Sequence, residues 1–208
     1  MLSFGKYKNI TLVDIHKKDE KYLPWLNTQP WFVIKFEDLH NQTTKLLNTT
    51  IKSPVINEKS FIIYTDGSCP ENGTKKARGG IGIHFSLHNK IKLEDISIKL
   101  DIDNPTNNKT ELMAIERALE VCIMNNITKG IILYTDSQYS LKCITLWYPE
   151  WVKKNKLQEK KNVDILQRID VLMKQVSIQF EHIKAHTGLK DEHSRGNYIA
   201  DSLATGCM

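Results

Sequence analysis

The stretch Phe61-Ile62-Ile63-Tyr64-Thr65-Asp66-Gly67-Ser68-Cys69 decides the fold, because its pattern recurs. Phe61 to Tyr64 reads as a buried strand that ends in an acid and then a turn. Seventy residues further on, Ile131-Ile132-Leu133-Tyr134-Thr135-Asp136-Ser137 repeats it: an apolar run, then Tyr-Thr-Asp, then a small residue. As parallel neighbours the two strands bring two carboxylates to one edge of one sheet. Like charges that close raise each other's pKa unless a cation neutralises them. A divalent metal with hard oxygen ligands meets that need.

The segments around these strands supply the rest of a domain. Gly79 to Phe85 reads as a second strand, and Ile91 to Leu100 as a third with a bulge near Glu94-Asp95. Their short connections argue an antiparallel meander. Asn107 opens a helix whose apolar face is Leu112, Ile115, Leu119 and Cys122; Asn108 and Glu111 have capping-box spacing, which puts Glu111 in the first turn. After Asp136 the spacing predicts a helix from Ser137 to Trp151 ended near Pro149, then a basic run from Lys153 to Lys161. An amphipathic helix over Val163 to Val176, a strand over Ser177 to Ile183, a polar loop and a short helix from Tyr198 to Cys207 close the chain. The order βββ-α-β-α-α-β-α predicts an α/β fold, a mixed five-stranded sheet flanked by helices.

Composition bounds the partners. The chain has 208 residues, a net charge of +5 and four cysteines without metal spacing. The charge mildly favours a polyanion, and the cysteines suit packing thiols of an intracellular protein. The N-terminus carries Lys6 and lacks an apolar run, so it does not read as a signal peptide, and no stretch is apolar enough to span a membrane. The N-terminal methionine and small size suit a separate, monomeric gene product. Residues 1–40 form an aromatic and basic module, residues 41–59 are polar and read as a linker, and the main domain runs over 60–208. In the module, Phe4-Gly5-Lys6-Tyr7-Lys8 and Tyr22-Leu23-Pro24-Trp25-Leu26 resemble a short motif appended to some bacterial exonucleases, with Asn9 where that motif ends in glycine. Lysines beside rings suit nucleic-acid contact as well as a small core.

The main domain resembles type 1 ribonuclease H. The resemblance rests on Thr65-Asp66-Gly67-Ser68-Cys69, Thr106-Asn107-Asn108-Lys109-Thr110-Glu111, Thr135-Asp136-Ser137-Gln138-Tyr139, His186-Thr187-Gly188 and Ala200-Asp201-Ser202-Leu203-Ala204, in that order. It implies an endonuclease for the RNA strand of RNA–DNA hybrids, with two Mg²⁺ ions, or Mn²⁺, held by Asp66, Glu111, Asp136 and Asp201. Four carboxylates suit two cations about 4 Å apart. It implies His186 as a proton shuttle, with His193 as a rival in the same loop. It also implies a substrate-binding set of Cys69, Asn72, Thr106, Asn107 and Gln138, with Lys153 and Lys154 on phosphate. The chain departs from the family in a shortened basic run and in fifteen positions from His186 to Asp201. A DNA nuclease of the integrase or resolvase kind and a non-catalytic nucleic-acid-binding module are the alternatives.

Overall fold

The structure, a computed structural model, describes residues 2, 4–19, 21–27, 29, 32, 36–50, 60–184 and 191–208. The chain divides into two compact units, Met1–Asn57 and Glu58–Met208.

The first unit holds α1 (Leu12–Lys18), α2 (Tyr22–Asn27) and α3 (Glu37–Thr50). Thr11 caps α1 by accepting the Asp14 N–H, and His16, Lys17 and Lys18 in the last turn suit the negative end of the helix dipole. Leu2, Tyr7, Leu12, Ile15, Leu23, Leu26 and Phe32 are buried together. The linker expected over 41–59 is corrected here, because residues 41–50 belong to α3. Polar composition concealed a helix whose Phe36, Leu39, Thr43 and Leu46 recur at helical spacing. The three apolar ones pack on the aromatic cluster, and buried Thr43 returns its hydroxyl to the Leu39 carbonyl at 2.7 Å. Residues 51–59 of that expected linker lie outside the described residues.

The second unit is a mixed five-stranded sheet, as the sequence predicts. Its strands are β1 (Phe61–Ser68), β2 (Gly79–Phe85), β3 (Ile96–Leu100), β4 (Ile131–Thr135) and β5 (Ile178–His182), in the order β3-β2-β1-β4-β5. β1 pairs with β2, and β2 with β3, antiparallel; β4 lies parallel to both β1 and β5. The helices are α4 (Asn107–Met124), α5 (Gln138–Lys142), α6 (Tyr148–Lys153), α7 (Val163–Met173) and α8 (Glu192–Gly206). Side chains alternate across the central strands. Phe61, Ile63 and Leu133 join a core with Leu112, Ile115 and Leu119 of α4 and Ile165 and Ile169 of α7. Ile62, Tyr64, Ile132 and Tyr134 form a second cluster with Ala200 of α8. Each fully buried leucine or isoleucine contributes about 1.5–3 kcal/mol, so these two layers fix the sheet between α4/α7 and α8.

Four boundaries differ from expectation, each for a local reason. β3 starts at Ile96 rather than Ile91, because Asp95 turns its carboxylate onto β2: it accepts the Phe85 N–H at 3.0 Å and meets His84 Nδ1 at 2.8 Å. A side chain has taken the place of a ladder bond, so there is no bulge. The cap of α4 is Thr106, whose hydroxyl accepts the Lys109 N–H at 3.2 Å, and Glu111 sits one turn inside the helix rather than in its first turn. Pro149 does not end its helix. The run from Gln138 to Lys153 contains a π turn over Cys143–Trp147, in which the Tyr148 N–H reaches the Cys143 carbonyl. That change of register falls just before Pro149, where the ring would otherwise crowd the carbonyl four residues back. Finally, α8 begins at Glu192, six residues before Tyr198, with Asp191 accepting the Ser194 N–H at 3.0 Å as its cap.

Candidate metal centre and adjoining groove

The last pairing between the two Tyr-Thr-Asp strands is Thr65 with Thr135, so Asp66 and Asp136 come next, side by side. β1 itself runs on to Ser68, still paired with β2, which keeps Asp66 within a strand and buried. Glu111 arrives from α4 because Gly67 leaves it room. A Cβ on Gly67 would lie 2.2 Å from the Glu111 nitrogen and 2.3 Å from the Thr110 carbonyl carbon, where only a hydrogen fits. Asp66, Glu111 and Asp136 each present a carboxylate oxygen, and these oxygens lie within 4.8 Å of one another.

Asp201 comes from α8, which approaches the sheet over two more glycines. A Cβ on Gly82 would fall 2.0 Å from the Ala200 carbonyl oxygen, and one on Gly80 2.5 Å from that of Ala204. Asp201 is half-buried, and its charge is felt by both Asp66 and Glu111.

The electrostatics are those of acids that cannot all be charged in a bare site. Burial, then the neighbouring Asp136 and Asp201, push the Asp66 carboxyl from 3.8 up to about 7. Burial first, then Asp66 and Asp136, raise Glu111 well above the usual carboxylate range. Glu111 Oε2 is buried with no hydrogen-bond partner among the described residues. A buried acceptor left unpaired costs on the order of 1–3 kcal/mol, and a cation would remove that cost. The donor set is hard oxygen throughout, which suits Mg²⁺ or Mn²⁺ and not a soft metal.

One residue of the site escaped the sequence reading. Asn197, buried on α8, donates from Nδ2 to Asp136 Oδ2 at 3.0 Å. Its place one helical turn before Asp201 was the available signal, once α8 is known to start before Tyr198. His182 also touches the site: its Nε2 lies 3.1 Å from the Asp136 carbonyl oxygen. His186 lies outside the described residues. Its rival His193 packs behind the acids, stacked on Tyr134 at 4.3 Å with Nδ1 at 3.0 Å from the Tyr64 hydroxyl.

An open groove of ≈ 690 Å³ lies at the N-terminal end of α4, the helix that carries Glu111. Three of the expected substrate residues, Asn72, Thr106 and Asn107, line it, together with Asn104, Tyr139, Lys161 and Asn162. Cys69 is buried, and Gln138 is exposed on the first turn of α5, outside that lining. Lys153 and Lys154 end α6 away from the groove lining, and Lys154 pairs with Glu150 at 2.8 Å. Lys161 is the lysine of the basic run that reaches the groove, while Lys160 lies over the Trp151 ring at 5.6 Å.

Residues 58–208 match the family described as RNase H. The chain is 34% identical over 162 residues to Ribonuclease H of Schizosaccharomyces pombe, covering 76% of this chain and 56% of that protein. It is 34% identical over 151 residues to Ribonuclease H1 of Mus musculus, with 70% and 49% covered. It thus spans about half the length of these curated relatives. Ribonuclease H of Ruthia magnifica is 38% identical over 154 residues, covering 71% of this chain and 94% of that protein. Among solved structures, the prototype foamy virus (PFV) RNase H domain matches 73% of this chain and 96% of its own length, at 24% identity and a TM-score of 0.58. A foamy viral protease-reverse transcriptase, solved with an RNA/DNA hybrid, matches 72% of this chain and 20% of its own, at 25% identity and a TM-score of 0.57. No described helix is long and apolar enough to cross a membrane.

Proposed function

This chain belongs to the RNase H family, and from that premise we propose that it is an endonuclease for the RNA strand of RNA–DNA hybrids, leaving 5′-phosphate and 3′-hydroxyl ends. The observation that carries the reading is the buried acidic cluster, where Asp66 and Glu111 crowd Asp136 and Glu111 Oε2 has no described partner. Asp66, Glu111, Asp136 and Asp201 would hold two Mg²⁺ ions, with Mn²⁺ as the alternative. When bound, such ions supply an acidified water and stabilise charge on the leaving oxygen.

The chain's own groups do the rest. Asn197 holds the Asp136 carboxylate in place by donating its amide to Oδ2 at 3.0 Å. Burial of Asp66 keeps bulk water from its carboxylate and strengthens every charge interaction there. Asn72 and Asn107 in the groove both donate and accept, as reading a 2′-hydroxyl requires, and Lys161 offers charge to a phosphate. Thr106 would join them on the DNA strand, with Cys69 and Gln138 completing the set at the edges. His186 would carry protons, a role suited to an imidazole. The relative solved with an RNA/DNA hybrid supports this substrate class.

The test is incubation of the protein with labelled RNA–DNA hybrid, duplex DNA and duplex RNA, with and without Mg²⁺. Internal cuts in the RNA of the hybrid alone, dependent on the ion, are expected. Equal cutting of duplex DNA would favour the integrase-like nuclease, and full activity in chelator would remove the metal from the mechanism.

A further inference from the structure

We infer that His193 is a positioning residue for the acidic cluster: it pins the first turn of α8 to the two acid-bearing strands, and so sets the register in which α8 presents Asn197 and Asp201. The inference rests on the proposed function only where it concerns metal affinity.

His193, Asn197 and Asp201 stand four residues apart and share one face of α8. Each meets a different level of the sheet. His193 meets Tyr64 and Tyr134, which stand two residues before Asp66 and Asp136 in their strands. Its ring lies on Tyr134 while Nδ1 engages the Tyr64 hydroxyl, so one imidazole touches β1 and β4 at once. One turn on, Asn197 reaches Asp136. One turn further, Asp201 acts on Asp66 and Glu111 through its charge.

The contacts of α8 with β2 do not fix this register. Gly80 and Gly82 let the helix backbone lie against the strand and offer it no side chain of their own. The features that set the register therefore lie on β1 and β4, where Gly196 also seats on the Tyr64 ring, 2.5 Å from where a Cβ would be. Ser86 reaches Glu192 at 3.1 Å and Ser97 reaches the Leu203 carbonyl at 2.7 Å, each with one hydroxyl, and neither belongs to β1 or β4. Tyr64 is itself held between His84 and Tyr134, at ring separations of 5.7 and 5.3 Å, so the post to which His193 is tied is rigid. Axial slip of α8 would draw Asn197 off Asp136 and Asp201 away from the cluster.

The test uses the full chain with His193→Ala, His193→Gln and Tyr64→Phe. The first readout is taken without metal: the side-chain amide NMR signal of Asn197, assigned by its loss in Asn197→Ser. The second is the calorimetric Kd for Mg²⁺. In His193→Ala the Asn197 amide is expected to exchange with water at least about tenfold faster, and the Mg²⁺ Kd to rise about tenfold, as for loss of a group behind a ligand. kcat should fall with KM for hybrid unchanged, and His193→Gln, which can still bond Tyr64, should restore part of each loss. An Asn197 signal and an Mg²⁺ Kd both within twofold of wild type would overturn the inference, even if the melting temperature dropped. Should His193→Ala not fold, Tyr64→Phe decides by the same two readouts, with shifts of about threefold expected and no shift refuting it. Wild-type protein that binds no Mg²⁺ would sink the metal reading, and the metal-free Asn197 signal would still decide the role of His193.

Discussion

Replacing Asp66 by asparagine should abolish turnover and yet make the metal-free protein more stable at neutral pH. The folded-state pKa of Asp66 is raised from 3.8 to about 7, by burial first and then by Asp136 and Asp201. A raised carboxyl pKa means that the fold prefers the protonated form. Its stability contribution is therefore present below about 3.8 and is lost as pH rises through about 7. Three units at about 1.36 kcal/mol each give about 4 kcal/mol as the upper bound of that loss. Glu111 shares the strain and takes up part of the relief, so about 2 kcal/mol is a working figure for the substitution. For a unit of this size that corresponds to about 4–8 °C in Tm. The assay is thermal unfolding of metal-free wild type and Asp66→Asn from pH 4.5 to 8.5. The margin between them should be smallest at the acid end, widen as pH rises towards about 7 and level off above it. Saturating Mg²⁺ should reverse the order, because only the wild type gains a full ligand set. A variant that melts below wild type at every pH, or by a constant margin, would refute the reasoning.

Gly67→Ala should cut kcat by about 100-fold or more. The new methyl at 2.2 Å from the Glu111 nitrogen must push a helix backbone by about 1 Å, and such a displacement at a reacting centre costs on that order; a variant with wild-type hybrid cleavage would place Glu111 outside the chemistry. Asp136→Asn should leave less than a tenth of wild-type turnover with an unchanged circular dichroism spectrum, since it removes several kcal/mol of charge stabilisation; more activity than that means another metal site. His186→Ala should slow turnover by a factor of about 10 to 100, because solvent can also take the proton; a larger loss in His193→Ala with an unaltered Asn197 signal would exchange their roles. Removal of residues 1–57 should raise KM for hybrid and flatten its salt dependence with kcat unchanged if the first unit contacts phosphates; identical salt slopes for full chain and residues 58–208 would refute that contact.

The legible part of this molecule was the part in which period and chemistry coincide. Two apolar runs ending in Tyr-Thr-Asp announce two strands, and an acid at the end of each announces where they meet; the register of Thr65 with Thr135 matches that reading. Glu111 was legible from its place before a clean apolar stripe, although its cap was assigned to Asn108 instead of Thr106, two residues away. The illegible parts were decided by tertiary contacts. The first six residues of α8 show no apolar stripe, because Gly196 meets the sheet through its lack of a side chain and Asn197 through an amide. Asp95 looked like a slip in a strand and is a side chain bonded to the strand beside it. α3 hid in a threonine-rich tract because one of its inward positions is itself a threonine. Pro149 punctuates a helix on paper, and no residue in the sequence advertises the π turn that absorbs it.

The glycines at the sheet have a bearing on how any substitution scan of this protein should be interpreted. At Gly67, Gly80, Gly82 and Gly196 a single added carbon would sit between 2.0 and 2.5 Å from a neighbouring atom, most often helix backbone that cannot turn aside. Such a scan would rank these four positions with Asp66 and Asp136 in intolerance. Their intolerance carries no chemical information: it records the thickness of the gap between two layers of backbone. Scored by loss of function alone, the map would outline a false active site running along β2, far wider than the true one. Scored by soluble yield beside activity, it would separate into two classes, residues that must be present for their atoms and residues that must be there for the atoms they lack.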